Sequence, residues 1–113
     1  MSNAEATART TSVNDANEVL GDFINTYRYN DGSYHCMASS IDEFIDEMMT
    51  QKRIEFWGEG IVFWDYKRLR LPVTRKYEGS NHPSSYQYNS PAGVVARWMN
   101  YYIPSNEYQY NKA

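Results

Sequence analysis

At 113 residues the chain has room for one small domain and no more. Its 11 Lys and Arg stand against 14 Asp and Glu, and a formal charge of −3 offers no concentrated basic excess for a phosphate backbone, so no nucleic acid is expected as a partner. The single cysteine, Cys36, excludes an internal disulfide and a cysteine-built zinc site; no window reaches the roughly 18 consecutive apolar residues of a membrane helix, and the N-terminus lacks the basic start and apolar stretch of a signal peptide.

In chain order, Ser2, Asn3 and Ala4 behind Met1 read as a vector-derived scar, which sets residues 1–4 apart and places the natural start near Glu5. From Val13 the apolar positions Ala16, Val19, Leu20, Phe23, Ile24 and Tyr27 recur at three and four residues, predicting an amphipathic helix over 13–29. Ser12 or Asn14 can cap its start, and Asn30-Asp31-Gly32 supplies the left-handed positions that end it. A second helix is predicted over 40–57. Ser40 caps the Glu43 amide while the Glu43 side chain reaches back, and Asp42, Glu43, Asp46 and Glu47 suit the positive end of the helix dipole. Its buried stripe is Ile41, Phe44, Ile45 and Met48, continued by Met49, Ile54, Trp57 and Ile61.

Gly58 and Gly60 each disfavour a helix interior by about 1 kcal/mol relative to alanine, so a helix end or bend belongs there. A third helix follows over 61–69 and stops before Pro72. Residues 72–97, with Gly79, Pro83, Pro91 and a polar run from Ser80 to Ser90, hold no sustained period and read as loop, ordered or mobile. Trp98 to Ile103 alternates and is β-prone before Pro104, predicting one short strand over 98–103. Tyr-Gln-Tyr-Asn occurs at Tyr86–Asn89 and again at Tyr108–Asn111, too short a pair to define a structural repeat.

The run Arg53 to Leu69 has a fixed order: a basic residue at Arg53, Glu55, three variable residues, Glu59-Gly60, two variable residues, Phe63-Trp64-Asp65, one variable residue, and Lys67-Arg68. That order resembles the C-terminal signature of the SusD/RagB-like proteins, surface glycan-binding lipoproteins of Bacteroidetes-type bacteria. Upstream, Ile24-Asn25 and Arg28 are similar to that family's "I/V-N-x-x-R" helix end; downstream, Pro104, Glu107 and Asn111 match its terminal pattern. Gln51 stands where the family often has Glu, Val62 where it has Arg, and Leu69 where a Trp usually follows the basic pair.

Three constellations invite chemistry. Glu55 and Glu59 would share a face of a continuous helix and suggest a glycosidase pair, but acid and base work needs a cleft and separated pKa values. The preferred reading is structural: Arg53, Lys67 and Arg68 neutralise the acids where helices join, while Phe56, Trp57, Phe63 and Trp64 pack inward. His35, Cys36 and the distant His82 lack the number and spacing of ligands for a metal, and the His-Cys pair has no orienting third group. Seven of the eleven tyrosines lie from Tyr77 onward, and exposed rings flanked by Asn, Gln and Ser suit sugar stacking as well as a protein interface. The candidate ligand contacts are Tyr77, Tyr86, Tyr88 and Trp98.

The resemblance implies a mainly α fold: the C-terminal part of a SusD-like, tetratricopeptide-like helical scaffold, with a loop-rich tail and one short strand. It also implies a non-catalytic role without a cofactor, capturing oligosaccharide or polysaccharide fragments for a SusC-like TonB-dependent transporter. The parent would be an outer-membrane, surface-exposed lipoprotein whose signal peptide and lipid-anchoring cysteine lie upstream. The other account of the residues is a free-standing helical interaction module with a tyrosine-rich tail. A fragment with unsatisfied apolar faces is expected to self-associate.

Overall fold

A computed structural model of the chain describes residues 1–102 and 104–106. They divide between two compact units, Met1–Val62 and Phe63–Ala113. The described secondary structure is helical: α1 (Ser2–Thr10), α2 (Val13–Tyr27), α3 (Ile41–Glu55), α4 (Ile61–Leu69) and two 3-10 turns, Ser84–Tyr86 and Arg97–Met99. The fold is mainly α, as expected of a SusD-like helical scaffold.

The first unit is a three-helix packing in which α1, α2 and α3 all meet. Helix α1 occupies a stretch where the sequence shows no large apolar stripe, and it begins within residues 1–4. Its buried face is Ala4 and Ala8 with Glu5, and such short side chains let two helix axes approach closely. The buried Glu5 carboxylate accepts from Arg9 Nε at 3.1 Å and lies 3.0 Å from Arg9 Nη2, one turn on. Only Thr11 and Ser12 separate α1 from α2, an αα-hairpin. Ser12 caps α2 by accepting from the Asp15 amide at 3.0 Å.

Ala16, Leu20 and Ile24 bury one row of α2 completely, opposite Phe44, Ile45, Met48 and Met49 of α3 in the same core. Ile41, predicted in that stripe, is 41% exposed, as expected of the first residue of a helix projecting beyond the core. Helix α2 stops at Tyr27, two residues early, because the Ile24 carbonyl takes the amides of both Arg28 (2.8 Å) and Tyr29 (3.1 Å). A turn closes at Gly32 (φ +69°), whose amide donates to the Tyr29 carbonyl.

The chain then runs extended to Ser39, held to α2 by two asparagines. Asn25 exchanges both hydrogen bonds with the Tyr34 backbone, donating to its carbonyl at 2.9 Å and accepting from its amide at 3.0 Å. Asn17 donates to the Ala38 carbonyl and accepts from the Cys36 thiol. At the start of α3 the Ser40 hydroxyl accepts from the Glu43 amide, as the sequence predicts. The Glu43 carboxylate reaches one residue further back than a capping box requires, accepting from the amide (2.8 Å) and hydroxyl (2.6 Å) of Ser39. These bonds hold the Glu43 carboxyl below its ordinary pKa.

Arg28 connects the far ends of α2 and α3. Its guanidinium donates from Nε (2.9 Å) and Nη2 (2.7 Å) to Glu55, from Nη1 to the Gln51 side-chain carbonyl (2.7 Å), and from Nη2 to the Gln51 backbone carbonyl (3.1 Å). Gln51 is buried, and its amide nitrogen donates to Glu47 at 2.8 Å, which also accepts from the Tyr34 hydroxyl at 2.6 Å. A glutamate at position 51 could take the Arg28 bond but could not donate to Glu47, so the amide found here suits an acidic neighbour.

Helix α3 ends at Glu55 rather than 57, and Gly58 (φ +81°) and Gly60 (φ +75°) turn the backbone where other residues would be strained. In the second unit, the residues read as loop carry hydrogen bonds of their own. Ser90 donates its amide to the Val73 carbonyl while its hydroxyl accepts the Val73 amide, and Arg75 donates to the Tyr88 carbonyl. An antiparallel bridge pairs Thr74 with Asn89. The strand predicted over 98–103 does not form among the described residues: Arg97–Met99 is a 3-10 turn with Met99 buried, and Ile103 lies outside the described residues. Alternation in this short run reflects one buried methionine beside exposed aromatics, without a neighbouring strand to pair with among the described residues. The second Tyr-Gln-Tyr-Asn, Glu107 and Asn111 also lie outside them.

Two outcomes test this account. Arg28→Lys, which keeps the charge but not the fork, should lower stability by about 2 kcal/mol in urea unfolding, allowing for the partial exposure of Glu55. Because Glu43's folded pKa is depressed, its contribution is fully present above the ordinary 4.5 and is lost as pH falls through the lower folded value. Ser39→Ala should therefore lower the thermal midpoint at neutral pH, and the gap to the unmodified chain should narrow in acid.

Candidate functional site

Helix α4 places Trp64, Lys67 and Arg68 at spacings of three and four, on one face. That face is the solvent side: Trp64 is 54% exposed, whereas Asp65 is buried and accepts from Arg68 at 2.7 Å. The expectation that Trp57 and Trp64 pack inward is therefore corrected. Trp57 is 87% exposed, because the chain turns away through Gly58 and Gly60 immediately after it. Phe56 and Phe63 are partly buried.

The C-terminus of α4 is a Schellman stop, with Leu71 N–H donating to the Tyr66 carbonyl (3.0 Å) and Arg70 N–H to the Lys67 carbonyl (3.3 Å). The left-handed residue of this motif is usually glycine; here it is Arg70, at φ +54°, a conformation disfavoured by about 1–2 kcal/mol for a residue with a Cβ. The Arg70 carbonyl accepts the Gly93 amide at 2.9 Å, which brings the 91–95 loop to the helix end. Trp64, Lys67, Arg68, Arg70 and Val95 line a cleft of about 510 Å³.

Aromatic rings of this unit form a continuous row. Tyr88 meets Trp98 edge-on at 5.9 Å, Trp98 lies 6.3 Å from Phe63, Phe63 meets Trp64 edge-on at 5.2 Å, and Trp64 lies 6.3 Å from Tyr101. Cations accompany them: Arg75 sits 5.7 Å from the rings of both Tyr88 and Trp98, and Lys67 6.0 Å from that of Trp64. Trp98 and Tyr101 keep 44% and 80% of their surface exposed.

Of the four candidate contacts, Tyr88 and Trp98 come together. Tyr88 is half-buried, with its hydroxyl enclosed and without a hydrogen-bond partner among the described residues. Tyr77 and Tyr86 are exposed at the turn ending in Ser80 and in the first 3-10 turn; neither joins the row of rings described above. Phe63, Trp64 and Tyr101 enter the row although the sequence did not mark them as ligand contacts. The signal for Trp64 was present in Lys67 and Arg68, whose charges on its helix face point to solvent.

The signature residues of the first unit make contacts within it. Glu55 is engaged by Arg28, Arg53 donates to the Thr50 hydroxyl at 3.0 Å, and Gly60 holds its positive φ. Because α3 ends at Glu55, Glu59 is not stacked one helical turn above it. In the first unit an open cleft of about 340 Å³ lies between α2 and the extended segment, lined by Asn17, Gly21, Asn25, Tyr34, His35 and Cys36 among others. Burial pushes the Cys36 thiol up, away from the reactive thiolate, and burial with the Glu47 bond raises Tyr34. Among the described residues no group of three His, Cys, Asp or Glu is placed to hold a metal ion, and no helix is long and apolar enough to cross a membrane.

No curated protein and no solved structure matches the chain. The family model described as the SusD family matches residues 2–112. Arg28 and Glu55, drawn from two separate parts of the sequence signature, bind one another in space, and the match spans almost the whole length; the chain belongs to the SusD family.

Proposed function

We propose that this chain is a non-catalytic part of a cell-surface nutrient-binding protein that captures oligosaccharides. The carrying observation is the row Tyr88, Trp98, Phe63, Trp64, Tyr101 in one compact unit, three of whose residues, Trp64, Trp98 and Tyr101, are exposed. Exposed indole and phenol faces stack on the apolar faces of pyranose rings, and nearby polar groups bond hydroxyls. Trp98 is the central platform, Tyr88 supports it edge-on, and Tyr77 and Tyr86 are flanking contacts for a longer glycan. Family membership supports a glycan-binding, nutrient-uptake role.

In this reading the parent is an outer-membrane lipoprotein, and the captured sugar passes to a SusC-like TonB-dependent transporter. No bond is broken: Glu55, one half of the suggested acid pair, is committed to Arg28. No cofactor is required by stacking and hydrogen bonding.

A protein-interaction role is favoured by a different observation, the exposure of Trp57 (87%) and Ile54 (58%) at the end of α3. On this second reading those residues cover a partner or another copy of the chain.

Tryptophan fluorescence titration with a panel of neutral oligosaccharides tests the first reading. Trp98→Ala should weaken binding at least about tenfold, roughly 1.4 kcal/mol, with helix content by circular dichroism retained. Unchanged affinity in that variant would remove Trp98 from the site. Sedimentation velocity tests the second: Trp57→Ser should shift any dimer to monomer while leaving sugar affinity unaltered.

A further inference from the structure

The formal charge of −3 conceals a strong polarity along the chain. In Met1–Val62 Asp and Glu outnumber Lys and Arg by eleven to four; in Phe63–Ala113 Lys and Arg outnumber Asp and Glu by seven to three. The acidic half would repel an anion, and in the basic half Lys67 and Arg75 lie against rings of the aromatic row.

Within that half the cleft at the end of α4 combines three features. Trp64 offers an indole that is more than half exposed, Val95 an apolar wall, and Lys67, Arg68 and Arg70 three cations within one helical turn and its cap. Arg68 is partly occupied by Asp65, whereas Arg70 has no carboxylate partner among the described residues. Its volume of about 510 Å³ falls within the roughly 300–1,000 Å³ of small-molecule sites.

The position of Arg70 adds a reason to look for a ligand. Its backbone adopts a left-handed φ that glycine would hold without strain, so the local fold gains nothing from arginine there. Arginine supplies a planar fork matched to a carboxylate or sulfate.

Resting on the glycan-capture reading, we infer that this cleft selects acidic saccharides, with Trp64 stacking on a sugar ring and Arg70 and Lys67 holding its carboxylate. Neutral sugars use the same aromatic row without the charge contacts.

The test titrates the full 113-residue chain with trigalacturonic acid, with its carboxyl-reduced neutral counterpart, and with a short oligoglutamate peptide. The acidic sugar should bind at least about tenfold tighter than the neutral one at low salt, and the preference should shrink as salt rises. Arg70→Gly should abolish the preference while thermal stability holds or rises, since glycine relieves the backbone. Lys67→Met, which keeps the apolar stem, should reduce it in part.

Equal affinity for acidic and neutral sugars overturns the inference and leaves glycan capture standing. Binding of neither sugar overturns both. An unchanged preference in Arg70→Gly removes the cleft from the site. Tight binding of oligoglutamate, with no affinity for either sugar, reassigns the cleft to an acidic protein segment and overturns the saccharide occupant.

Discussion

The Arg28 guanidinium is the point on which the first unit depends. Hydrophobic burial of Leu20, Ile24, Phe44 and Met48 brings α2 and α3 together, but apolar packing alone is non-directional and tolerates sliding. Four charge-assisted bonds from one planar group to Glu55 and Gln51 fix which turn of α2 faces which turn of α3. The network then extends through Gln51 and Glu47 to Tyr34, and so reaches the extended segment that Asn17 and Asn25 already hold. Register, loop path and helix end are set together.

The same fork engages the Glu55 carboxylate from two nitrogens. Glu55 neutralises Arg28, and the helix break after it separates Glu59 from the geometry a paired acid needs. The signature residues divide by role. Arg28 and Glu55 build the scaffold, Gly60 turns the chain, and Trp64 with Lys67 faces outward beside the aromatic row. Within the row, Phe63 and Trp64 lie on α4, whereas Tyr88, Trp98 and Tyr101 lie outside the α-helices.

The strained Arg70 belongs to the second part. A helix end that could have used glycine uses a cation instead, next to Trp64 and against a loop fastened by the Gly93 amide. The backbone conformation is slightly disfavoured, and the side chain it positions has no carboxylate partner among the described residues.

Several elements were determined by sequence alone. Helices α2, α3 and α4 follow from a 3.6-residue apolar period and from Ser12 and Ser40 as caps, because helical hydrogen bonds and N-caps are local. The glycine-rich break after Glu55 and the family signature were equally legible. Helix α1 was not, since alanines at one-turn spacing carry little hydrophobic signal until a neighbouring helix lies against them. The short strand failed for the opposite reason: alternation over 98–103 is a local pattern, but a strand exists only when a partner supplies its hydrogen bonds. Tertiary structure also decided the site. Tyr88, Trp98, Phe63, Trp64 and Tyr101 are spread along the sequence, and which rings touch and which faces remain open depends on long-range packing that no spacing rule encodes.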